Sequence, residues 1–205
     1  MANETSSESR SIVVHAARVA GAGKSRGALS RTQGRFETVA REAFDDGWGA
    51  EDEAPAALQT TVTEERARSI IQRNDSPDLP FELSINPYRG CEHGCIYCYA
   101  RPSHAYLELS PGLDFESKLF AKLNAVELLR DELSRRSYRP SPIALGANTD
   151  CYQPIERRYR ITRGLIELLA HCRHPLTIVT KSALVERDLD LLGPMGRANL
   201  AKVFV

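Results

Sequence analysis

The segment NPYRGCEHGCIYCYARP, residues 86–102, carries three of the chain's five cysteines: Cys91, Cys95 and Cys98, spaced C-x3-C-x2-C. Thiolates are soft donors, and a tight loop of three suits either zinc or an iron-sulfur cluster. A structural zinc ion takes four protein ligands, so it would need His93 inside the loop or His104 beyond it. Zinc motifs usually pair two two-ligand knuckles, and no second CxxC is present. A plain electron-transfer cluster would want a fourth cysteine, but neither Cys151 nor Cys172 sits in a ligand-like pattern. An odd cysteine count crowded into one loop fits a reducing compartment better than a disulfide framework.

The elements around this loop decide where its chemistry is presented. FELSI (81–85) predicts a strand running directly into the cysteines, and ESKLFAKLN (116–124) a second strand. Asn124 then caps a helix on which Val126, Leu129 and Leu133 recur at helical spacing. PIALG (142–146), LTIVT (176–180) and KVFV (202–205) read as further strands. Leu165, Leu168, Leu169 and Cys172 form the apolar stripe of one intervening helix, with Cys172 in the core. Val185, Leu189 and Leu192 line another, stopped by Gly193-Pro194. Strand and helix alternate, which predicts an α/β protein of successive right-handed βαβ units on a parallel sheet. About five strands can be counted, too few to complete a (β/α)8 barrel, so the expectation is a partial (β/α) barrel. The chain ends inside the strand AKVFV with no turn or cap, so the expected barrel is truncated at its C-terminus.

Two segments are expected. Residues 1–80 are Ser-, Arg- and Gly-rich up to Gly34 and acidic thereafter, and read as a polar, partly disordered extension. Phe36, Phe44 and Trp48 are its candidate docking anchors; GAGKS within it lacks the upstream glycine of a phosphate loop. Residues 81–205 form the barrel portion. The 205 residues, 42% of them hydrophobic, suffice for one sizeable core. Basic and acidic residues balance at 27 each, so no global charge excess points to nucleic acid. No apolar run is long enough to span a membrane and no leader pattern opens the chain, which places the protein in the cytoplasm with no membrane partner.

The spacing C-x3-C-x2-C, with Tyr97 before the last cysteine, resembles the cluster motif of the radical S-adenosylmethionine (radical SAM) superfamily. NPYRGCEHGCIYCYARPSHAY, DFESKLFAKLNA, GANTDCYQPIE and TKSALVERDLDLL together look like the branch related to spore photoproduct lyase and its bacterial relatives. SRGALSRTQGRFE and DDGW upstream resemble the same relatives. The resemblance implies a 4Fe-4S cluster held by Cys91, Cys95 and Cys98. Its open iron would be chelated by S-adenosylmethionine, and reduction would cleave that cofactor to a 5′-deoxyadenosyl radical. It also implies a one-electron donor such as flavodoxin or ferredoxin. The competing reading is a non-catalytic module in which a Cys3His zinc ion or an iron-sulfur cluster only stabilises the fold.

Further site candidates follow from strand ends. Asn148, Thr149 and Asp150 come after PIALG and should project over the cysteine face, as should Lys181 at the end of LTIVT. The Lys181 ammonium can meet the carboxylate of S-adenosylmethionine, Thr149 or Asn148 its amino-acid or ribose groups, and Asp150 or Glu156 its amino group or ribose. Each is also ordinary turn chemistry or a solvated charge. Tyr97 is expected beside the adenine, and Lys118 and Lys122 are further candidates. Spore photoproduct lyases carry a hydrogen-donating cysteine where Ala147 stands here. Cys151, one residue beyond Asp150, is the substitute donor or else a small apolar filler. DNA is a candidate partner through Arg157, Arg158, Arg160 and Arg163 and through Arg135, Arg136 and Arg139, which are equally well read as solvated faces.

Overall fold

A computed structural model describes Gly27, Ala28, Arg35 and residues 59–205. GAGKS, Phe36, Phe44, Trp48 and DDGW lie outside the described residues. The elements run β1 (Thr61–Glu65), β2 (Ile71–Arg73), β3 (Leu83–Ile85), β4 (Tyr88–Arg89), α1 (Leu113–Ser117), β5 (Lys118–Lys122), α2 (Ala125–Leu133), β6 (Ile143–Leu145), α3 (Glu156–Tyr159), α4 (Ile161–His171), β7 (Leu176–Val179), α5 (Leu189–Arg197) and β8 (Ala201–Phe204). Two 3-10 stretches, Arg101–Leu107 and Ala183–Asp188, complete the order.

The fold is α/β with two mixed sheets. The larger has the order β2-β3-β6-β7-β8, in which β3, β6, β7 and β8 are parallel and β2 is an antiparallel edge. The smaller has the order β1-β5-β4, with β1 parallel and β4 antiparallel to β5. The strands expected over 81–85, 142–146, 176–180 and 202–205 are therefore present, at 83–85, 143–145, 176–179 and 201–204, and parallel. The expected succession fails at β5, which leaves the main sheet for a partner inside the acidic segment. Thr61-Val62-Thr63 is β-branched and pairs along β5 from Thr61↔Lys118 to Glu65↔Lys122. Ordered structure thus begins ahead of Phe81, and no closed barrel is formed among the described residues.

The core follows from the pairing. β3 and β6 lie inside the sheet and every residue of both is buried, the mark of strands covered on two faces. Ile161, Leu165, Ile166 and Leu169 of α4 pack onto them together with Leu129 of α2 and Leu192 and Met195 of α5. Registers Ile85↔Leu145 and Leu145↔Ile178 align the strands' carboxyl ends, so the segments starting at Asn86, Gly146 and Thr180 emerge side by side.

Three local expectations are corrected. Cys172 is exposed, because α4 ends at His171 and the cysteine falls in its C-cap, beyond the apolar stripe. α5 continues past Gly193-Pro194 to Arg197: burial of Leu192 and Met195 holds its last turn, and Ala198 N donates to the Pro194 carbonyl at 3.2 Å. Asn124 precedes α2, but its side chain makes no cap. Its Oδ1 accepts from Ala67 N at 2.8 Å and its Nδ2 donates to Ala67 O at 2.9 Å, mimicking a strand partner and fastening the β1–β2 connection.

Candidate metal-binding loop and its surroundings

Cys91, Cys95 and Cys98 occupy one irregular loop after β4, on the carboxyl-end face of the parallel strands, and all three thiols are free. Glycines set the loop's two turns. Gly90 has φ +72° and Gly94 φ +59°, left-handed values, each immediately before a cysteine. A β-carbon at Gly90 would also lie 2.7 Å from Leu119 Cδ2 and 2.9 Å from the Phe115 carbonyl oxygen. Gly90→Ala is therefore expected to shift Cys91 and lower stability by about 1–3 kcal/mol, measured by denaturant unfolding.

Side chains from other elements then pin the loop. Gln153, fully buried, brackets Cys91: its Oε1 accepts from Glu92 N at 3.0 Å and its Nε2 donates to Gly90 O at 3.0 Å. Cys95 is held through its carbonyl, which accepts from Arg101 Nε at 3.1 Å and Nη2 at 2.9 Å. Arg101 in turn meets the buried Glu116 carboxylate at 2.5 Å and lies over the Phe115 ring. The other Glu116 oxygen accepts from Gly27 N at 3.2 Å, so the upstream segment touches the same carboxylate.

Asn86 ties the neighbouring strand ends together. Its Oδ1 accepts from Asn148 N at 2.8 Å and Thr149 N at 3.4 Å, and its carbonyl accepts from Lys122 Nζ at 2.7 Å. Asn86, Gln153, Arg101 and Glu116 were not singled out from the sequence. The only signal was polar residues flanking a motif, and their partners lie 6–89 positions away.

The sequence-predicted residues sort into two groups. Lys181 joins the cysteines: its Nζ lies 3.1 Å from Cys95 Sγ, and that contact, against the opposing effect of burial, raises its pKa. Tyr97 is 82% exposed beside them, while the Tyr99 hydroxyl donates to the Ala147 carbonyl. Thr149, Asp150, Glu156 and Cys151 are engaged elsewhere, and Asn148 donates its backbone N to Asn86. Thr149 is buried and its Oγ1 donates to Tyr88 O at 2.8 Å.

Asp150 Oδ1 accepts from Thr180 Oγ1 at 2.7 Å and Tyr152 N at 2.8 Å, and Oδ2 accepts from Lys181 N at 3.0 Å. His93 Nε2 is 3.2 Å from Oδ2, at ion-pair distance but off the hydrogen-bond axis. Burial pushes the Asp150 carboxyl up, yet His93 and these donors outweigh it and hold the group below its ordinary value. Asp150 therefore braces the Lys181 turn. Glu156 is fully buried and accepts from Tyr88, Thr162, Arg163 and Arg187, which leaves it no oxygen facing the loop. Cys151 is fully buried in the core cluster, and burial pushes its thiol well above the ordinary range, so it has no surface from which to donate hydrogen. Lys118 is paired with Asp114 at 3.1 Å.

The donor set suits a soft metal or cluster, but the three thiols do not converge. Among the described residues no three His, Cys, Asp or Glu side chains come close enough together to hold a metal ion. Cys98 packs against the small cluster of Cys91, Ala100 and Phe115, and burial pushes the Cys91 thiol up to about 12. Protonated thiols have no mutual attraction; gathering them requires a cation that displaces their protons. Neither histidine faces them. His93 lies against Asp150, and His104, fully buried, places Nε2 2.9 Å from the Lys118 carbonyl. The arginine clusters are partly spent as well: Arg163 is bonded to Glu167, Asp188 and Asp190, and Arg135 to Glu132. Among the described residues no helix is long and apolar enough to cross a membrane.

No family model and no solved structure matches the chain. Uncharacterized proteins of Mycobacterium tuberculosis and Mycobacterium bovis are each 49% identical to it over 114 residues, 56% of this chain and 34% of theirs. An uncharacterized protein of Methanocaldococcus jannaschii is 33% identical over 107 residues, 52% of this chain and 38% of its own length. The chain spans about a third of the length of the curated relatives it matches.

Proposed function

We propose that this chain is the cluster-bearing part of a radical SAM protein of the branch related to spore photoproduct lyase, with its sheets forming part of an incomplete (β/α) barrel. Cys91, Cys95 and Cys98 would hold a 4Fe-4S cluster, and Lys181 would bind the carboxylate of S-adenosylmethionine. The observation that carries the reading is the meeting of two separate strand ends: a C-x3-C-x2-C loop of free thiols after β4, and the Lys181 ammonium after β7, 3.1 Å from Cys95 Sγ. With cluster and cofactor bound, the chemistry supplied is one-electron reductive cleavage to a 5′-deoxyadenosyl radical.

The protein's own part is positioning. Gln153 and Arg101 fix the backbone on either side of the loop, and Asp150 holds the Lys181 main chain, whose ammonium reaches Cys95 Sγ. An ammonium there supplies a point charge for a carboxylate and lowers the cost of thiolate charge nearby. The exposed Tyr97 offers a flat face beside the loop for an adenine. The substrate class is open, with DNA one candidate; an external one-electron donor completes the requirement.

Anaerobic reconstitution with iron and sulfide tests this. The expected result is a brown protein that forms 5′-deoxyadenosine when given S-adenosylmethionine and dithionite. One zinc ion per chain with a full set of protein donors, and no iron uptake, would overturn it. Lys181→Ala is expected to keep the iron content while weakening S-adenosylmethionine binding by about tenfold, the loss of one charge-assisted contact. Equal affinity in equilibrium dialysis would remove Lys181 from the site.

A further inference from the structure

A cleft of about 360 Å3 opens between β1, β2 and the β4–β5 pair and is lined by Arg66, Arg68, Ser69, Gln72, Arg89 and Lys122 together with Glu65 and Ala67. From these residues we infer that the cleft is a binding site for a phosphate group. Four cationic side chains face a single lining carboxylate. Glu65 is 3.2 Å from Arg89, and Arg66 reaches outward to Glu127 at 3.1 Å. Arg68 and Lys122 have no carboxylate at ion-pair distance among the described residues.

Lys122 sets the site apart from a solvated basic face. It is only 5% exposed, and its ammonium has one acceptor among the described residues, the Asn86 carbonyl at 2.7 Å. An ammonium carries three donors, so two are left for a ligand. Burial first and the neighbouring Arg89 second push its pKa down to about 8, against the pull of Glu65. A buried cation repelled by another cation is costly without an anion, and a phosphate supplies charge and several acceptors at once.

The lining also says what part of a ligand is recognised. Among the described residues Ala67 is its one apolar side chain, and no aromatic ring lines it to stack a base. The chemistry of the lining suits a phosphate or pyrophosphate group rather than a base, with Ser69 and Gln72 as neutral hydrogen-bonding groups at its wall. It adjoins the cysteine face through Asn86, which accepts from Lys122 with its carbonyl and from Asn148 with its Oδ1. The phosphate could belong to a small metabolite or to a nucleic-acid strand crossing toward that face.

Calorimetric titration of the purified chain with inorganic pyrophosphate, at constant ionic strength, is the test. Saturable binding is expected, weakened about tenfold or more in both Lys122→Met and the exposed-site variant Arg68→Ser. Arg68 lies on the surface, so its replacement should leave the fold intact by circular dichroism. Displacement of pyrophosphate by single-stranded oligothymidylate identifies a nucleic-acid phosphate; binding without displacement identifies a small phosphate ligand. No saturable binding, or affinity unchanged in Arg68→Ser, overturns the assignment.

Discussion

Cys95→Ala is expected to abolish cluster assembly, with iron and sulfide per chain falling to background after anaerobic reconstitution. Two remaining thiolates cannot anchor a four-iron cluster against competing thiols in solution. The structure makes this variant a clean test, because the backbone at position 95 is held independently of its sulfur. Arg101 donates to the Cys95 carbonyl through Nε and Nη2, and is itself fixed by Glu116. The loop should keep its path when the thiol is removed, so the loss reports the missing donor rather than a misplaced chain. Near-wild-type unfolding stability would accompany the loss. A variant that still takes up four irons would reject the assignment of this loop.

Glu156→Ala should be the most damaging substitution to stability outside the loop, costing about 3–5 kcal/mol, as expected when three buried donors lose their acceptor at once. Its carboxylate is fully buried and accepts at 2.5 Å from Tyr88 Oη, 2.9 Å from Thr162 N, 3.2 Å from Arg163 N and 2.8 Å from Arg187 Nη2. Thr162 N and Arg163 N belong to the first turn of α4, where helical amides have no partner in their own helix. Glu156 thus closes that end of α4 and joins it to β4 through Tyr88, two residues before Gly90. Removing it leaves Tyr88 Oη, Thr162 N and Arg163 N without their acceptor, while Arg187 keeps its ion pair with Asp188 at 2.8 Å. Urea unfolding checks the magnitude. A loss under about 1 kcal/mol would show that the network is not what seats β4 on α4.

Where sequence and structure agree, the reason is local. Leu83, Ile85, Ile143, Leu145, Leu176 and Ile178 mark strands because short apolar runs between turn residues suit a sheet covered on both faces, and the structure buries them all. Leu165 and Leu169 were visible as a helix stripe for a similar reason. The failures come where a distant partner outweighs local preference. The acidic stretch Thr61–Glu65 reads as solvated, yet it is a strand because β5 offers it a full ladder. Asn124 reads as a cap, yet its amide is claimed by Ala67, 57 positions earlier.

What the sequence determines by itself is the donor chemistry: three thiols at fixed spacing, two loop glycines beside them, and alternating elements that send the loop to the carboxyl ends of parallel strands. Spacing along the chain sets which donors share a loop, whatever the rest does. Only the tertiary structure decides which polar groups are spent and which stay available. It commits Thr149, Asp150 and Glu156 to bracing, buries Cys151, brings Lys181 across 86 positions to Cys95, and encloses Lys122 in a basic cleft. The physical reason is that burial makes an unpartnered polar group expensive, so long-range packing assigns every partner, and no local pattern encodes which strand end will lie beside which.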